Sequence, residues 1–150
     1  MLNIKRKKNG FLLIDILVSA GIFVILAGIG IPYIRKYQPN LKLDASARNL
    51  TADLRLAQQL TITEQVVHIV NFDFSNDSYS ILRLGTATTT VKSVSLDSEI
   101  GWQEISGLDD NKVFFNFYGG VSQPGQIILN NANGRSAIIN IKPSGYVQLE

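Results

Sequence analysis

The 150-residue chain has one histidine, His68, and no cysteine. No serine or acid stands at a spacing that would make His68 a catalytic base, and there is no second histidine or thiolate to complete a metal pair. It falls in an alternating pattern with Val66 and Val70 on its face, which reads as a core position. No glycine-rich phosphate loop is present. Oxygen ligands gather at Asp109-Asp110-Asn111, with Asp97 and Glu99 upstream. Such groups bind calcium, but they lack calcium-loop spacing, and a solvated loop is the plainer reading. That leaves Asp15, the fifth residue of an apolar stretch that starts at Phe11. A carboxylate inside a membrane helix costs roughly 2.5–3.5 kcal/mol on insertion scales and usually has a partner. The sequence therefore reads as a non-enzyme without cofactor or metal, whose one unusual charge lies in a membrane segment.

The elements around Asp15 follow from charge and length. Lys5-Arg6-Lys7-Lys8 precedes Gly10, and residues 16–34 hold 19 uncharged positions in a row. As a helix that run is roughly 28 Å long at about 1.5 Å per residue, matching a bilayer core about 30 Å thick. The basic flank places the amino end in the cytoplasm and the carboxyl end outside, and it outweighs Arg35 and Lys36 on the far side. A secretory signal peptide is one rival, with Val18-Ser19-Ala20 as its cleavage site, but the apolar run continues 14 residues past Ala20. A plain signal anchor explains the length and the basic flank and leaves Asp15 unexplained.

Basic leader, glycine, phenylalanine, three apolar residues, acid and a long apolar run stand here in that order. This amino terminus resembles that of type IV prepilins and type II secretion pseudopilins. The resemblance implies cleavage by a prepilin peptidase between Gly10 and Phe11, N-methylation of Phe11, and a role for Asp15 in assembly. The family normally carries Glu where this chain has Asp15, which keeps the charge on a side chain one methylene shorter. Many pilins also have a proline where Pro32 stands, and the resemblance implies that the helix loosens there. Pro32, with Gly28 and Gly30, weakens a helix in any case, because proline removes a backbone hydrogen bond. The implied partners are the prepilin peptidase, other pilin or pseudopilin subunits, the inner-membrane assembly platform and the cytoplasmic membrane.

Physical chemistry leads to the same place. Cleavage after Gly10 creates a positive α-amine at Phe11, and Asp15 stands at i+4 from it on one helix face. The carboxylate can pair with that amine, pair with the amine of a neighbouring subunit, or snorkel to the near interface. Pairing between neighbours turns a buried charge into a register device. Ala20/Ala27 and Gly21/Gly28 lie seven apart, a small-residue face that permits close helix approach, although both residue types are common in such helices.

Total formal charge is +2, yet with residues 1–10 removed ten basic and twelve acidic residues remain, a net of −2. The exported part is therefore no general polyanion binder. Three segments are expected: a leader over 1–10, a membrane helix over 11–36, and an extracytoplasmic domain over 37–150. In the last, Leu43, Ala47, Leu50, Leu54, Ala57 and Thr61 alternate spacings of four and three, an amphipathic helix over 41–64. Leu56 and Leu60 widen the stripe, and Arg48, Asp53, Arg55, Gln58 and Gln59 fill the other faces. From residue 65 the period becomes two. Strands are expected over 66–72, 79–84, 89–96, 113–117, 126–130, 136–142 and 146–149, with a loop over 97–111. Asn131-Ala132-Asn133-Gly134 is hairpin chemistry.

Residues 47–61, Phe117-Tyr118-Gly119-Gly120 and Ser144-Gly145-Tyr146 resemble GspH-type minor pseudopilins and FimT-type minor pilins. The fold implied is α+β, a long transmembrane-to-amphipathic helix packed on antiparallel sheets. The function implied is a structural subunit of a type II secretion pseudopilus or a type IV pilus. The alternative is a FimT-like minor pilin that binds DNA during natural transformation. Those relatives use a late Gly-Arg-x-Arg motif, and here the place reads Gly145-Tyr146-Val147-Gln148 without either arginine. Arg135 and Lys142 are the only basic residues nearby, thin for phosphate contacts.

Overall fold

The computed structural model describes residues 9–150, with side chains from Leu12 onward. The expected leader therefore lies outside the described residues, apart from the backbone of Asn9 and Gly10. The chain divides into two compact units, Met1–Gln38 and Pro39–Glu150. One α-helix, α1 (Asn9–Glu64), supplies the first unit and opens the second. Neither Pro32 nor Pro39 ends it.

Within Pro39–Glu150 the stripe expected of α1 is buried: Leu43, Ala47, Leu50, Leu54, Ala57 and Thr61 are all fully covered. Alternation of three and four keeps successive side chains on one face of a 3.6-residue helix, and that face is what the sheets cover. Leu56 is exposed and Leu60 half-buried, so they lie at or beyond the edge of the stripe instead of widening it. Leu56 stands six residues after Leu50, about 120° off its azimuth at roughly 100° per residue, whereas Leu60 stands three after Ala57, about 60° off. The helix stops at Gln65, which takes a left-handed conformation (φ 52°). Its side-chain amide donates to the Ile62 carbonyl at 2.7 Å, satisfying one of the acceptors left over at a helix end.

Eight strands follow: β1 (Val67–Asp73), β2 (Ser78–Leu84), β3 (Thr88–Ser95), β4 (Ile100–Ser106), β5 (Lys112–Phe114), β6 (Gly125–Asn131), β7 (Ser136–Ile141) and β8 (Val147–Leu149). They form two four-stranded sheets in the orders β3-β2-β1-β5 and β4-β6-β7-β8. All pairings are antiparallel. The stretch 97–111, expected as a loop, contains β4. A register shift between Trp102 and Glu104, together with Gly101 inside the strand, breaks the period-two pattern that would have revealed it. The strand expected over 113–117 is shorter, because after Phe115 the chain turns at Gly119 and Phe117 is exposed.

The core joins the helix stripe to both sheets, through Val70, Ile81 and Val113 from the first and Ile127, Leu129, Ile139 and Val147 from the second. Every buried hydrophobic side chain of this core lies between Leu43 and Val147, so Pro39–Glu150 carries a complete core of its own. Phe72, Tyr79 and Trp102 bridge the sheets, with Phe72 and Trp102 edge-to-face at 5.3 Å and Tyr79 and Trp102 edge-to-face at 6.4 Å.

Candidate assembly site and the turns at the far end

The described part of the first unit is helical. Every large apolar side chain from Leu12 to Ile34 is more than half exposed. Water does not tolerate an apolar surface of that extent on a soluble monomer. Among the described residues α1 is the one helix long and apolar enough to cross a membrane, with a mean hydropathy of 2.6 over its most apolar window. Asp15 is exposed on this helix. Phe11 lies one turn earlier, roughly 6 Å along the axis. Among the described residues no cation lies within ion-pair distance of Asp15.

In the second unit His68 occupies the core position its alternation with Val66 and Val70 predicts. It is fully buried, its Nδ1 lies 2.9 Å from the Val66 carbonyl, and its backbone N–H donates to Thr61 Oγ1 at 3.0 Å. The carboxylates singled out for calcium stand at one end of the unit without converging. Asp97 and Glu99 are held by Lys42 at 3.1 and 3.0 Å, and Asp110 pairs with Lys112. No group of three or more potential metal ligands occurs among the described residues. The hydrogen bonds from Lys42 hold Asp97 below its usual carboxylate range, and those carboxylates, Glu99 first, push Lys42 upward. Nearby, the side-chain amide of Asn76 holds Asp73 low.

Sequence reasoning misplaced Asp53. The helical pattern puts it among the residues filling the other faces of α1, but it is buried. Its carboxylate accepts from Tyr79 Oη at 2.8 Å and from Lys92 Nζ at 2.7 Å. Burial, and then the adjacent Asp53 carboxylate, push the Tyr79 hydroxyl well above its ordinary range. The signal was available, because Asp53 follows Leu50 by three and precedes Ala57 by four, on the stripe itself.

Two turns that sequence reasoning noted only as turns are locked to α1 and to each other. Asn116 Oδ1 accepts from the backbone N–H groups of Tyr118 and Gly120, both at 3.0 Å. Gln58 Nε2 donates to the Gly119 carbonyl at 2.7 Å. Gly119 (φ 85°) and Gly145 (φ 77°) are left-handed, and a Cβ on Gly145 would collide with the Gly119 carbonyl. The hairpin at Asn131–Gly134 is likewise fixed, as Asn131 Oδ1 accepts from the N–H groups of Asn133 and Arg135 while its amide donates to Asn40 Oδ1 at 2.8 Å. Arg135 is not free for phosphate, since it pairs with Asp44 at 3.1 Å.

With this geometry in place, solved structures give the comparison. EpsH, the minor pseudopilin from the type 2 secretion system of Vibrio cholerae, superposes with a TM-score of 0.63 at 14% identity, over 73% of this chain and 96% of that one. The type IV minor pilin FimU of Pseudomonas aeruginosa gives 0.60 at 15% identity, over 79% and 92%. Escherichia coli GspH gives 0.57 at 19% identity, over 74% and 89%. The fold is that of the minor pseudopilins and pilins. No family model matches the sequence, and no curated protein matches it at a significant level. The pilin-like fold, one helix laid on two antiparallel sheets, thus survives at identities that leave little else in common, and the expected fold class holds.

Proposed function

We propose that this chain is a minor pilin or pseudopilin, a structural subunit and not an enzyme. The observation that carries this reading is an uncovered apolar helix, with an acid at its fifth apolar position, leading into a pilin-like fold. In this reading a prepilin peptidase cuts between Gly10 and Phe11, and Phe11 is then methylated. Residues 11–36 hold the subunit in the cytoplasmic membrane, amino end inside, until the assembly platform extracts it into a filament. Residues 37–150 face the periplasm or the exterior. Asp15 pairs with the Phe11 amine of a neighbouring subunit, which offsets the cost of a carboxylate in lipid and sets the axial register. Pro32 gives a turn with one backbone hydrogen bond fewer, which can loosen as helices pack. DNA capture has no support in the placement of Arg135 and Lys142, one ion-paired and the other lying over the Tyr146 ring.

The test is incorporation of Asp15 variants into filaments beside the wild-type chain. Asp15→Ala should insert in the membrane normally and enter filaments roughly tenfold less, about 1.4 kcal/mol of lost pairing. Asp15→Glu, which keeps the charge, should enter nearly as well as the wild type. Equal incorporation of Asp15→Ala and wild type would remove the pairing from the account.

A further inference from the structure

The hairpin between β6 and β7 carries the one Asn-Gly step of the Pro39–Glu150 unit, Asn133-Gly134. Every other asparagine of the unit precedes a residue with a side chain. Ala132, Asn133, Gly134 and Arg135 are all exposed. Gly134 is left-handed (φ 77°), and a Cβ built on it would meet nothing within 4 Å beyond its chain neighbours. Glycine sets no side chain in the way of its own backbone nitrogen. The amide carbon of the preceding asparagine, Cγ, is an electrophile within ring-closing reach of that nitrogen. Asparagine counts among the thermolabile residues, and this step is the least shielded one in the unit.

The same hairpin fastens the second sheet to α1. Asn131 is buried, and its Oδ1 accepts from the Asn133 N–H at 3.1 Å and from the Arg135 N–H at 2.9 Å. One oxygen thus sets the spacing across the Asn133–Gly134 bond. The Asn131 side-chain amide donates to Asn40 Oδ1 at 2.8 Å, and Arg135 pairs with Asp44 at 3.1 Å. Both sides of the bond are therefore tied to the helix.

We propose that Asn133-Gly134 is a site of spontaneous deamidation, and that the isoaspartate it forms unfastens the β6–β7 hairpin from α1. The Gly134 nitrogen, its proton lost to hydroxide, attacks Asn133 Cγ. A new carbon–nitrogen bond closes a succinimide ring, the bond from Cγ to the side-chain nitrogen breaks, and that nitrogen leaves as ammonia. Water then opens the ring. Attack at Cγ gives aspartate with the backbone unchanged. Attack at the Asn133 carbonyl carbon gives isoaspartate, with the chain running on through Cγ and longer by one carbon. Neither route needs an oxidant or a second protein. In the folded hairpin the Gly134 N–H donates to the Asn131 carbonyl at 3.0 Å, which slows the attack. It does not stop it, because exposed turns open locally at small free-energy cost. With the extra carbon in place Asn131 Oδ1 no longer spans the Asn133 and Arg135 N–H groups, and the Arg135–Asp44 pair goes with them. The proposal rests on neither leader cleavage nor the Asp15 pairing.

The leader holds the chain's other Asn-Gly step, Asn9-Gly10, so the test uses the Pro39–Glu150 domain, which contains the whole core. The folded domain is aged in mildly alkaline buffer and followed by intact mass and peptide mapping. The expected result is a mass gain equal to replacing NH by O, confined to the peptide with Asn133 and mostly isoaspartate. It should form severalfold more slowly than in the same chain unfolded in guanidinium chloride. Asn133→Gln, which keeps an amide but must close a larger ring, should stay unchanged over the same period. Hydrogen exchange at the Arg135 N–H should quicken in the aged domain and stay slow in Asn133→Asp, which carries the new charge without the extra carbon. Conversion of the unfolded chain alone would show that the hairpin protects the step and would overturn the proposal. Earlier conversion at a different asparagine would overturn the assignment of the site. Isoaspartate at 133 with unchanged exchange at Arg135 would overturn the unfastening.

Discussion

The two halves of α1 are made of similar residues and meet opposite fates. From Leu12 to Ile34 leucine and isoleucine recur on every side of the helix, and all stay uncovered. From Leu43 to Thr61 leucine, alanine and threonine recur every three or four positions, and that stripe is sealed against two sheets. The first half is stable only in a solvent as apolar as itself. The second brings its own apolar partner in the strands that follow. Composition therefore identifies the first half and period identifies the second.

That contrast can be broken most forcefully in the buried half. Leu54→Ala should destabilise the domain by about 2–5 kcal/mol, read as a lower urea midpoint, because it empties a fully covered site. Asp53→Ala should cost about 1–3 kcal/mol by leaving the buried Tyr79 hydroxyl without its acceptor. Near-ultraviolet circular dichroism of the tyrosines would follow that loss. Gly145→Ala should cost roughly 1–3 kcal/mol in the same urea assay, since it combines a left-handed backbone with a collision at the Gly119 carbonyl.

A smaller effect is expected at Lys42, where the sign follows from the two shifts. Asp97 is depressed, so its contribution is present above its ordinary range and fades as pH falls through its lowered value. Lys42 is raised, so its contribution is complete below its ordinary range and fades as pH rises through its higher value. Lys42→Met should therefore lower Tm slightly between about pH 5 and pH 10, with the difference from wild type shrinking at both extremes. The smallest effect belongs to the uncovered half. Leu26→Ala, the same deletion of a buried-type side chain, should leave the unfolding of the Pro39–Glu150 domain unchanged, because Leu26 contributes nothing to its core. A matching drop for Leu54→Ala and Leu26→Ala would erase the distinction between the halves.

Legibility of the fold tracked how regular each element is. The stripe at Leu43, Ala47, Leu50, Leu54 and Ala57 was plain because a helix repeats without interruption. The hairpin at Asn131–Gly134 was plain because Asn-Gly chemistry is local. Strand β4 was hidden because its bulge at Trp102–Glu104 shifts the alternation by one. Asp53 was misplaced because a carboxylate on the core face is allowed only by Tyr79 and Lys92, which lie 26 and 39 residues away. The locking of the Gly119 and Gly145 turns has the same origin. Each is an ordinary turn in sequence, and only the fold sets one glycine against the carbonyl of the other. Asp15 stood out in sequence through its neighbours, and the partner proposed for it belongs to another subunit.

The most direct test of the central claim is the intact mass of the protein recovered from cells with an active prepilin peptidase. The account predicts a chain that begins at Phe11 and carries one added methyl group on its α-amine. A chain that retains Lys5-Arg6-Lys7-Lys8 in those cells would contradict it.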